Sequence, residues 1–431
     1  MPNNKILIGV GSLILLIIGT ILFLALNGEE EVVVKDVWDE DWEEEREVAV
    51  TEPEEAQVSE GWESSIIRDG FYSSGDFNIA IDSDNKLHVV YEGIEDNNVN
   101  YLYQTGEGYE KEVIIEQDFM GRYMDSHPDI AVGSDDTIRV VFLQEKDDVG
   151  EIVYALRNNG VWEMKTVSSG SLVGDADSSI ALDKDDSVHI VYWGPIVISG
   201  KRGFNYLTNE SGEWERKETN YGKGTTLSLD LDNEGNPHVM QTTRKENGRV
   251  WSGNLFYSFL EREEWNLKEV EENIVRPEGG EILLDSNGNP KIVYKKSIKD
   301  EYDYYYETPI GASLKNGEWI INPIEAEEIR DWGSAVIDEN DQIHIVYSYY
   351  GYGSSGYGRY RWEGINYIQG QGEKWREEIV KDTAKMEGDL EESIEGIDLA
   401  IDNAGKTHIV YLLKDSSGEE DVYTLGHLWK K

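Results

Sequence analysis

The sequence predicts an all-β protein, a seven-bladed β-propeller with four-stranded blades, preceded by one transmembrane helix. Three observations lead to this prediction: a unit of about 50 residues recurs seven times, each unit contains four short β-rich runs, and one long apolar segment lies near the N-terminus. Repeats of this length with four strands each are typical of propeller blades. The predicted organisation is an anchor over residues 1–27, an acidic stalk over residues 28–60 and a propeller over residues 61–431.

The anchor prediction depends on the segment from Ile6 to Leu26, which holds 21 uncharged, mostly aliphatic residues. A helix of that length spans about 30 Å, the thickness of the hydrocarbon core of a bilayer. Lys5 precedes the segment and Glu29 follows it, so the positive-inside rule places the propeller on the extracytoplasmic side. The sequence favours an uncleaved signal anchor in the cell membrane. A cleaved signal peptide, whose apolar region is usually shorter, is the alternative.

The stalk prediction rests on charge. Residues 29–60 include 15 acidic and 2 basic side chains, and such a segment repels itself and cannot bury a core. We therefore predict an extended spacer. Trp38 and Trp42 are unusual in a pure spacer and keep open the alternative of a segment that binds a partner.

Each repeat begins with a strand, a tight turn and a second strand, as in NIAIDSDNKLHVVY. The residue before the V-V-Y element of the second strand is histidine in five copies and basic in the other two. These positions are His88, Arg139, His189, His238, Lys291, His344 and His408. Helical repeats are excluded, because no run outside the anchor has apolar residues at helical spacing.

A tyrosine later in the repeat is followed, eight residues on, by a second aromatic residue. The pairs are Tyr101 and Tyr109, Tyr154 and Trp162, Tyr206 and Trp214, Tyr257 and Trp265, and Tyr367 and Trp375. The fifth copy is expected to have a longer turn, from the cluster at residues 304–306 to Trp319. The seventh is expected to use Tyr423, after which the chain ends at Lys431 before a fourth strand can form. The segment of Trp62 is therefore predicted to complete the last blade and close the ring.

An aspartate begins the first turn in six copies, as Asp82, Asp183, Asp232, Asp285, Asp338 and Asp402, and Gly133 replaces it in the second. Aspartate accepts hydrogen bonds from nearby backbone N–H groups, so we predict a role in forming the turn. Structural calcium is the alternative, although a complete twelve-residue loop ending in glutamate is absent. No other metal or cofactor is predicted. Five histidines at one repeat position indicate a structural role, and only His127 and His427 lie outside this pattern.

The pattern D-x-x-G-x-x-H-[IV]-V-Y, followed by a strand with tyrosine and a strand with tryptophan, resembles the neuraminidase-repeat, sialidase-like propellers. The resemblance covers about residues 61–431. That superfamily includes exo-sialidases, polysaccharide lyases and many proteins without known activity, so the resemblance implies the fold and no particular reaction.

Two departures from the sialidase pattern argue against carrying over catalytic residues. The Asp turn joins the first and second strands of the repeat rather than the third and fourth, and histidine replaces the threonine of the sialidase Asp-box. An F-R-I-P element is absent; residues 275–277, Val-Arg-Pro, are the nearest fragment. We find no motif for a three-arginine clamp or for a nucleophile, and no catalytic residue is predicted.

Aromatic and arginine residues in the variable loops after the second strand are the predicted ligand-binding residues. Aromatic faces with interspersed arginine suit sugar rings, carboxylates or protein partners, whereas packing of the loops against neighbouring blades is the alternative. They are Tyr350, Tyr352, Tyr357, Arg359, Tyr360, Arg361 and Trp362 in the sixth copy, Trp193 and Arg202 in the third, and Arg244 and Trp251 in the fourth.

Composition excludes several functions. The absence of cysteine excludes a disulfide scaffold, cysteine-ligated zinc, iron–sulfur clusters and thiol nucleophiles. A formal net charge of −48 argues against nonspecific nucleic-acid binding. The predicted function is a membrane-anchored binding or scaffold module for a surface glycan or an extracytoplasmic protein. The alternative is a carbohydrate-active enzyme, a glycoside hydrolase or a polysaccharide lyase of sialidase-like propeller type.

Overall fold

A computed structural model describes residues 57–431 except for 70–72, 94–97, 107, 117–125, 147–148, 171–177, 196–201, 220–223, 244–251, 278, 300–304, 356–357, 373, 384–385, 388–391 and 419–420. The predicted anchor and nearly all of the predicted stalk lie outside the described residues. Within the described part of the chain, no helix is long and apolar enough to cross a bilayer.

The described residues form thirty β-strands in seven antiparallel sheets, one for each predicted repeat. Two strands precede the first complete blade: β1 (Gln57–Val58) and β2 (Trp62–Asp69). Blade one contains β3 (Ser73–Ile81), β4 (Leu87–Gly93), β5 (Val99–Thr105) and β6 (Gly108–Ile115). Blade two contains β7 (Asp129–Val132), β8 (Ile138–Lys146), β9 (Val149–Asn158) and β10 (Val161–Gly170).

The next three blades follow the same order. Blade three contains β11 (Ser178–Leu182), β12 (Val188–Pro195), β13 (Arg202–Thr208) and β14 (Glu215–Glu218). Blade four contains β15 (Gly224–Leu231), β16 (Pro237–Thr243), β17 (Ser252–Glu261) and β18 (Glu264–Val275). Blade five contains β19 (Gly280–Leu284), β20 (Pro290–Lys299), β21 (Tyr305–Lys315) and β22 (Glu318–Pro323).

The last two blades differ in how their sheets are completed. Blade six contains β23 (Ile329–Ile337), β24 (Ile343–Ser355), β25 (Gly358–Gln371) and β26 (Lys374–Asp382); β1 pairs with β26, and β27 (Met386–Glu387) pairs with β25. Blade seven contains β28 (Glu392–Ile401), β29 (Thr407–Asp415) and β30 (Val422–Lys430), and β2 is its fourth strand.

The strand that completes blade seven comes from the N-terminal side of the propeller. β2 pairs antiparallel with β30, and Trp62 is the register partner of Lys430. The predicted pairing of the Trp62 segment with the last strand is thus present. Trp62 also packs on Tyr367 of blade six at a ring-centroid distance of 5.3 Å, and its indole N–H donates to Glu378 over 2.7 Å.

The first strand of each blade faces a central cavity, and side chains on these strands link neighbouring blades. The N–H of Ile79 in blade one donates to Oδ2 of Asp398 in blade seven over 2.8 Å. Asp129 accepts from the N–H of Ile180, and Asp230 accepts from that of Leu284. A carboxylate can accept a second N–H of its own strand at the same time, so these aspartates satisfy buried backbone donors that the sheet leaves unpaired.

The hydrophobic core lies between the blades. Each cluster of buried side chains combines residues from adjacent sheets; one cluster, for example, packs Val90 and Tyr101 of blade one against Ile138 and Phe142 of blade two. β-branched and aromatic residues suit this arrangement because both faces of each sheet are covered.

Candidate functional site

In four blades a repeated histidine connects a repeat tyrosine with a turn aspartate, an arrangement that we call the histidine network: Nδ1 hydrogen-bonds the tyrosine hydroxyl, and Nε2 lies 3.2–3.6 Å from an aspartate oxygen. In blade one, Nδ1 of His88 lies 2.6 Å from the hydroxyl of Tyr101, and Nε2 lies 3.2 Å from Oδ2 of Asp82. Burial lowers the pKa of His88 despite the nearby carboxylate. The ring is therefore a neutral structural bridge between the turn and the third strand. The same network occurs at Asp183, His189 and Tyr206, at Asp232, His238 and Tyr257, and at Asp338, His344 and Tyr367.

In three blades, other residues replace one or more members of the histidine network. In blade two, a Cβ placed on Gly133 would lie 1.9 Å from Nη1 of Arg139, so the guanidinium occupies the space that the aspartate takes elsewhere. In blade five, Nζ of Lys291 lies 3.2 Å from Oδ2 of Asp285. In blade seven, Nδ1 of His408 contacts Nε2 of His427 over 3.0 Å.

Two sequence predictions about this network were wrong. Strand register places His427, not Tyr423, at the seventh tyrosine position, because Val410 pairs with His427 just as Val90 pairs with Tyr101. His427 therefore belongs to the repeat pattern. In blade five the equivalent residue is Gly311, eight residues before Trp319, so the turn there has the usual length. Tyr305 and Tyr306 lie on β21 before Gly311, and Tyr423 lies on β30 before His427, so each is an aromatic residue of the correct strand at the wrong register position.

The turn carboxylates are occupied by the protein itself. Oδ1 of Asp82 accepts the N–H groups of Asp84 and Lys86 at 3.0 and 2.7 Å. Asn85 completes the turn at a φ of 60°, a left-handed conformation that asparagine tolerates. This is the turn role predicted from the sequence. Among the described residues, no group of three or more histidine, aspartate or glutamate side chains could hold a metal ion.

A central cavity of about 810 Å³ is lined by the first strand of every blade. Asp129, Asp230 and Asp398 line it together with Ser and Thr side chains. Burial raises the pKa of Asp230 and of Asp398 to about 6, although backbone N–H groups counteract it. Each of these carboxylates accepts a backbone N–H of the neighbouring blade, so the polar groups of the cavity wall hold adjacent blades together.

Blade six carries the longest hairpin of the propeller. β24 and β25 have 13 and 14 residues, whereas the corresponding strands of the other blades have 7–10 and 7–11. Pairing of the described residues continues to Ser355 and Gly358, so residues 351–355 and 358–362 extend the two strands beyond Tyr350 and Glu363; we call these two segments the arm. A loop was expected here. The tyrosine and tryptophan residues of this segment favour strand structure.

The base of the arm is held by a partly buried cluster around Arg330. Tyr350 and Glu363, the register partners at this base, both contact the guanidinium: Nε donates to the hydroxyl of Tyr350 over 2.9 Å, and Nη1 lies 3.0 Å from Oε2 of Glu363. Nη1 also donates to the carbonyl of Ile394 in blade seven. The cluster therefore joins the arm to two blades.

Glu363 is the most deeply buried acid of this cluster, with an exposed fraction of 1%. Its Oε2 accepts the N–H of Ile394 over 2.7 Å, and its own N–H donates to the hydroxyl of Thr383. Burial raises the pKa of Glu363 to about 7, and the N–H of Ile394 and the charge of Arg330 only partly counteract this.

The predicted ligand-binding residues have different places in the structure. Trp193 is 6% exposed and packs between blades three and four against Phe204. Tyr350 lies at the arm base. For Tyr352, Arg359, Tyr360, Arg361, Trp362 and Arg202 the backbone is described as strand; Tyr357, Arg244 and Trp251 lie outside the described residues. Their roles stay predictions.

Arg330 and Glu363 were missed by the sequence analysis. Each is a single charged residue next to a repeated element, and in a chain with 87 acidic side chains an isolated glutamate is no signal. Arg330 could have been noticed as a cation at the start of a first strand that is otherwise largely apolar.

Comparisons with known proteins bear on the fold alone. No protein-family model matches the chain, and no curated protein does. Solved structures that resemble it include a polysaccharide lyase of family PL25, an ulvan lyase, at 10% identity and a TM-score of 0.48, covering 83% of this chain and 95% of that one. The β-propeller domain of the Trilobed protease from Pyrococcus furiosus aligns at 12% identity and a TM-score of 0.44, covering 81% and 93%.

The intramolecular trans-sialidase from Ruminococcus gnavus aligns at 10% identity and a TM-score of 0.40, covering 85% of this chain and 98% of that one. At such identities the likeness concerns architecture and transfers no activity. The chain is a seven-bladed β-propeller, and the solved structures that resemble it include a polysaccharide lyase and a trans-sialidase.

Proposed function

We propose that the chain is an extracytoplasmic binding module that uses the arm of blade six to hold an acidic surface glycan. The arm is the observation that carries this proposal. It is the longest hairpin of the propeller, and its sequence combines Arg359 and Arg361 with tyrosine and tryptophan. Arginine binds carboxylates through charge-assisted hydrogen bonds, and aromatic rings pack on the apolar faces of sugars.

The repeat histidines and the turn aspartates favour binding over catalysis, because both sets of side chains have structural contacts. The five repeat histidines are buried, and burial lowers the pKa of each. The turn carboxylates that are described accept backbone N–H groups. General acid–base catalysis needs groups that can reach a substrate. These histidines are buried, and these carboxylates already hydrogen-bond backbone N–H groups.

The proposal includes the location of the chain at the cell membrane. We propose that residues 6–26 anchor the chain in the cell membrane and that the acidic stalk separates the propeller from it. Protease treatment of intact cells that make the chain tests this: the propeller should be digested while the protein remains in the membrane fraction after carbonate extraction. Release of an intact propeller into the medium would indicate the cleaved signal instead.

Titration of the full-length chain in detergent with polygalacturonate, alginate and neutral dextran tests the arm. The wild type should bind the two uronate polymers and not dextran. The double variant Arg359→Ala, Arg361→Ala should bind at least about tenfold more weakly, because each charge-assisted hydrogen bond contributes about 1.5–3 kcal/mol. Arg262→Ala is the matched control, since this arginine is 90% exposed in its side chain and lies in the turn between β17 and β18.

The outcomes separate the alternatives. Equal binding by wild type and double variant would remove the arm from the site. Binding of none of the three polymers would overturn the acidic-glycan proposal. New reducing ends or unsaturated uronates in the incubated polymers would support the enzyme alternative.

A further inference from the structure

We infer that Arg330 is the positioning residue that sets the direction of the arm, and that protonation of Glu363 releases it. The inference concerns regulation of the site proposed above and rests on that proposed function for its biological meaning. The geometric claim about the arm can be tested without any ligand.

Arg330 reaches both strands of the arm from a different strand of the same blade. It lies on β23, whereas Tyr350 is on β24 and Glu363 is on β25. The contacts of the guanidinium with Tyr350 and Glu363 therefore bind the register pair from which the arm projects. Apart from β27, which pairs with Tyr360 and Arg361, no described strand lies beside the arm. The contacts at its base are therefore its main further restraint.

The same guanidinium connects the arm base to blade seven. Nη1 donates to the carbonyl of Ile394, while Oε2 of Glu363 accepts the N–H of that residue over 2.7 Å. Both backbone groups of Ile394 are thus held by the pair of Arg330 and Glu363. Loss of either side chain leaves buried polar groups of the other blade without partners, and such a loss is costly.

The described charged groups around Glu363 determine what happens on protonation. On β23, Asp331 lies 3.1 Å from Nη1 of Arg330, and on β28, Glu395 lies 4.0 Å from Nη2. From β24, the hydroxyl of Tyr350 accepts from Nε of Arg330; after β26, the hydroxyl of Thr383 accepts from the N–H of Glu363. With Glu363 neutral, the remaining carboxylates near Arg330 are those of Asp331 and Glu395, which are more exposed than Glu363 and lie on β23 and β28, outside the strands of the arm.

The direction of the effect follows from the titration of Glu363. Burial raises its pKa to about 7, so the carboxylate is charged in mildly alkaline solution and takes up a proton below neutrality. The attraction between Arg330 and Glu363 is then present above about pH 7 and is lost below it. The arm should be held at alkaline pH and released at acid pH.

Hydrogen exchange of the backbone amides in residues 351–355 and 358–362 of the full-length chain tests the inference without a ligand. At pH 8, Arg330→Lys should speed exchange of these amides about tenfold, because one ammonium cannot replace the three directed contacts of the guanidinium. Arg157→Lys is the matched control: Arg157 makes a comparable pair with Glu112 in blades one and two, at 2.6 and 2.9 Å, and should leave the arm unchanged.

Glu363→Gln separates the protonation step from simple loss of structure. At pH 8 its arm should exchange as fast as that of the wild type at pH 6, after correction for intrinsic exchange, and its rate should no longer depend on pH. Wild-type exchange in Arg330→Lys, or pH dependence retained in Glu363→Gln, would overturn the inference. Failure of the polymers to bind would leave these exchange results intact and count only against the proposed function.

Discussion

Nδ1 of His408 lies 3.0 Å from Nε2 of His427, and the two imidazole rings stack with centroids 5.2 Å apart. Five other blades have a tyrosine at the register position of His427. Nδ1 of His427 in turn lies 3.3 Å from the hydroxyl of Tyr109 in blade one. A histidine pair therefore connects the last blade with the first.

We predict that His427→Tyr stabilises the propeller at acid pH. Burial lowers the pKa of His427 to about 3, and the charge of His408 contributes. The unfolded chain takes up this proton below about pH 6.5, so the folded state loses stability as the pH falls from there toward 3. At pH 4.5 the variant should gain roughly 2–3 kcal/mol over the wild type, relative to their difference at pH 7.5.

Urea unfolding at both pH values measures this difference. Tyr101→His is the reciprocal control, because it creates a histidine pair in blade one beside His88. It should lose stability at acid pH by a comparable amount. If the free energy of unfolding of His427→Tyr depends on pH as that of the wild type does, burial of the neutral histidine pair does not cause the loss of stability at acid pH.

Asp398 should make the propeller more stable at acid than at neutral pH. Burial raises its pKa to about 6, above the unfolded value of 3.8. The contribution is thus fully present below about pH 4 and lost as the pH rises through 6. The free energy of unfolding of the wild type minus that of Asp398→Asn should fall by about 2–3 kcal/mol between pH 4 and pH 7. A constant difference over that range would contradict the prediction.

Chelation should leave the melting temperature unchanged. Oδ1 of Asp183 already accepts the N–H groups of Asp185 and Ser187 at 2.9 and 2.8 Å, so these turns need no calcium. Asp183→Ala should cost about 1–3 kcal/mol, because it leaves those donors unpaired. Differential scanning calorimetry with and without EDTA measures both effects. A melting temperature that falls with EDTA and recovers with calcium would restore the calcium alternative.

Trp62→Ala should destabilise the propeller by about 3–5 kcal/mol, the usual cost of removing a buried aromatic side chain. Trp62 is 4% exposed and packs on Tyr367, and its indole donates to Glu378. Trp62→Phe keeps most of the packing and should lose only about 1 kcal/mol from the hydrogen bond. Equal losses in the two variants, measured by urea unfolding, would show that the ring contributes little to blade seven.

Most of the architecture could be predicted because the same pattern of strands and turns occurs seven times along the chain. The apolar second strands recur at intervals of 49–64 residues, and six of the seven copies have the turn aspartate. Alignment failed at Tyr423 and at residues 304–306, where an aromatic residue close to the expected place competed with His427 and Gly311. Spacing alone cannot separate such candidates, since register is decided by which side chains fit between two blades.

The sequence by itself determined the number of blades and the turn chemistry, because these depend on local patterns that recur along the chain. Only the tertiary structure brought Arg330 and Glu363 together, 33 residues apart along the chain and 3.0 Å apart in space. Their attraction needs a buried site shared by two strands and the neighbouring blade. No spacing in a linear sequence encodes such a site, because its low polarity is produced by packing.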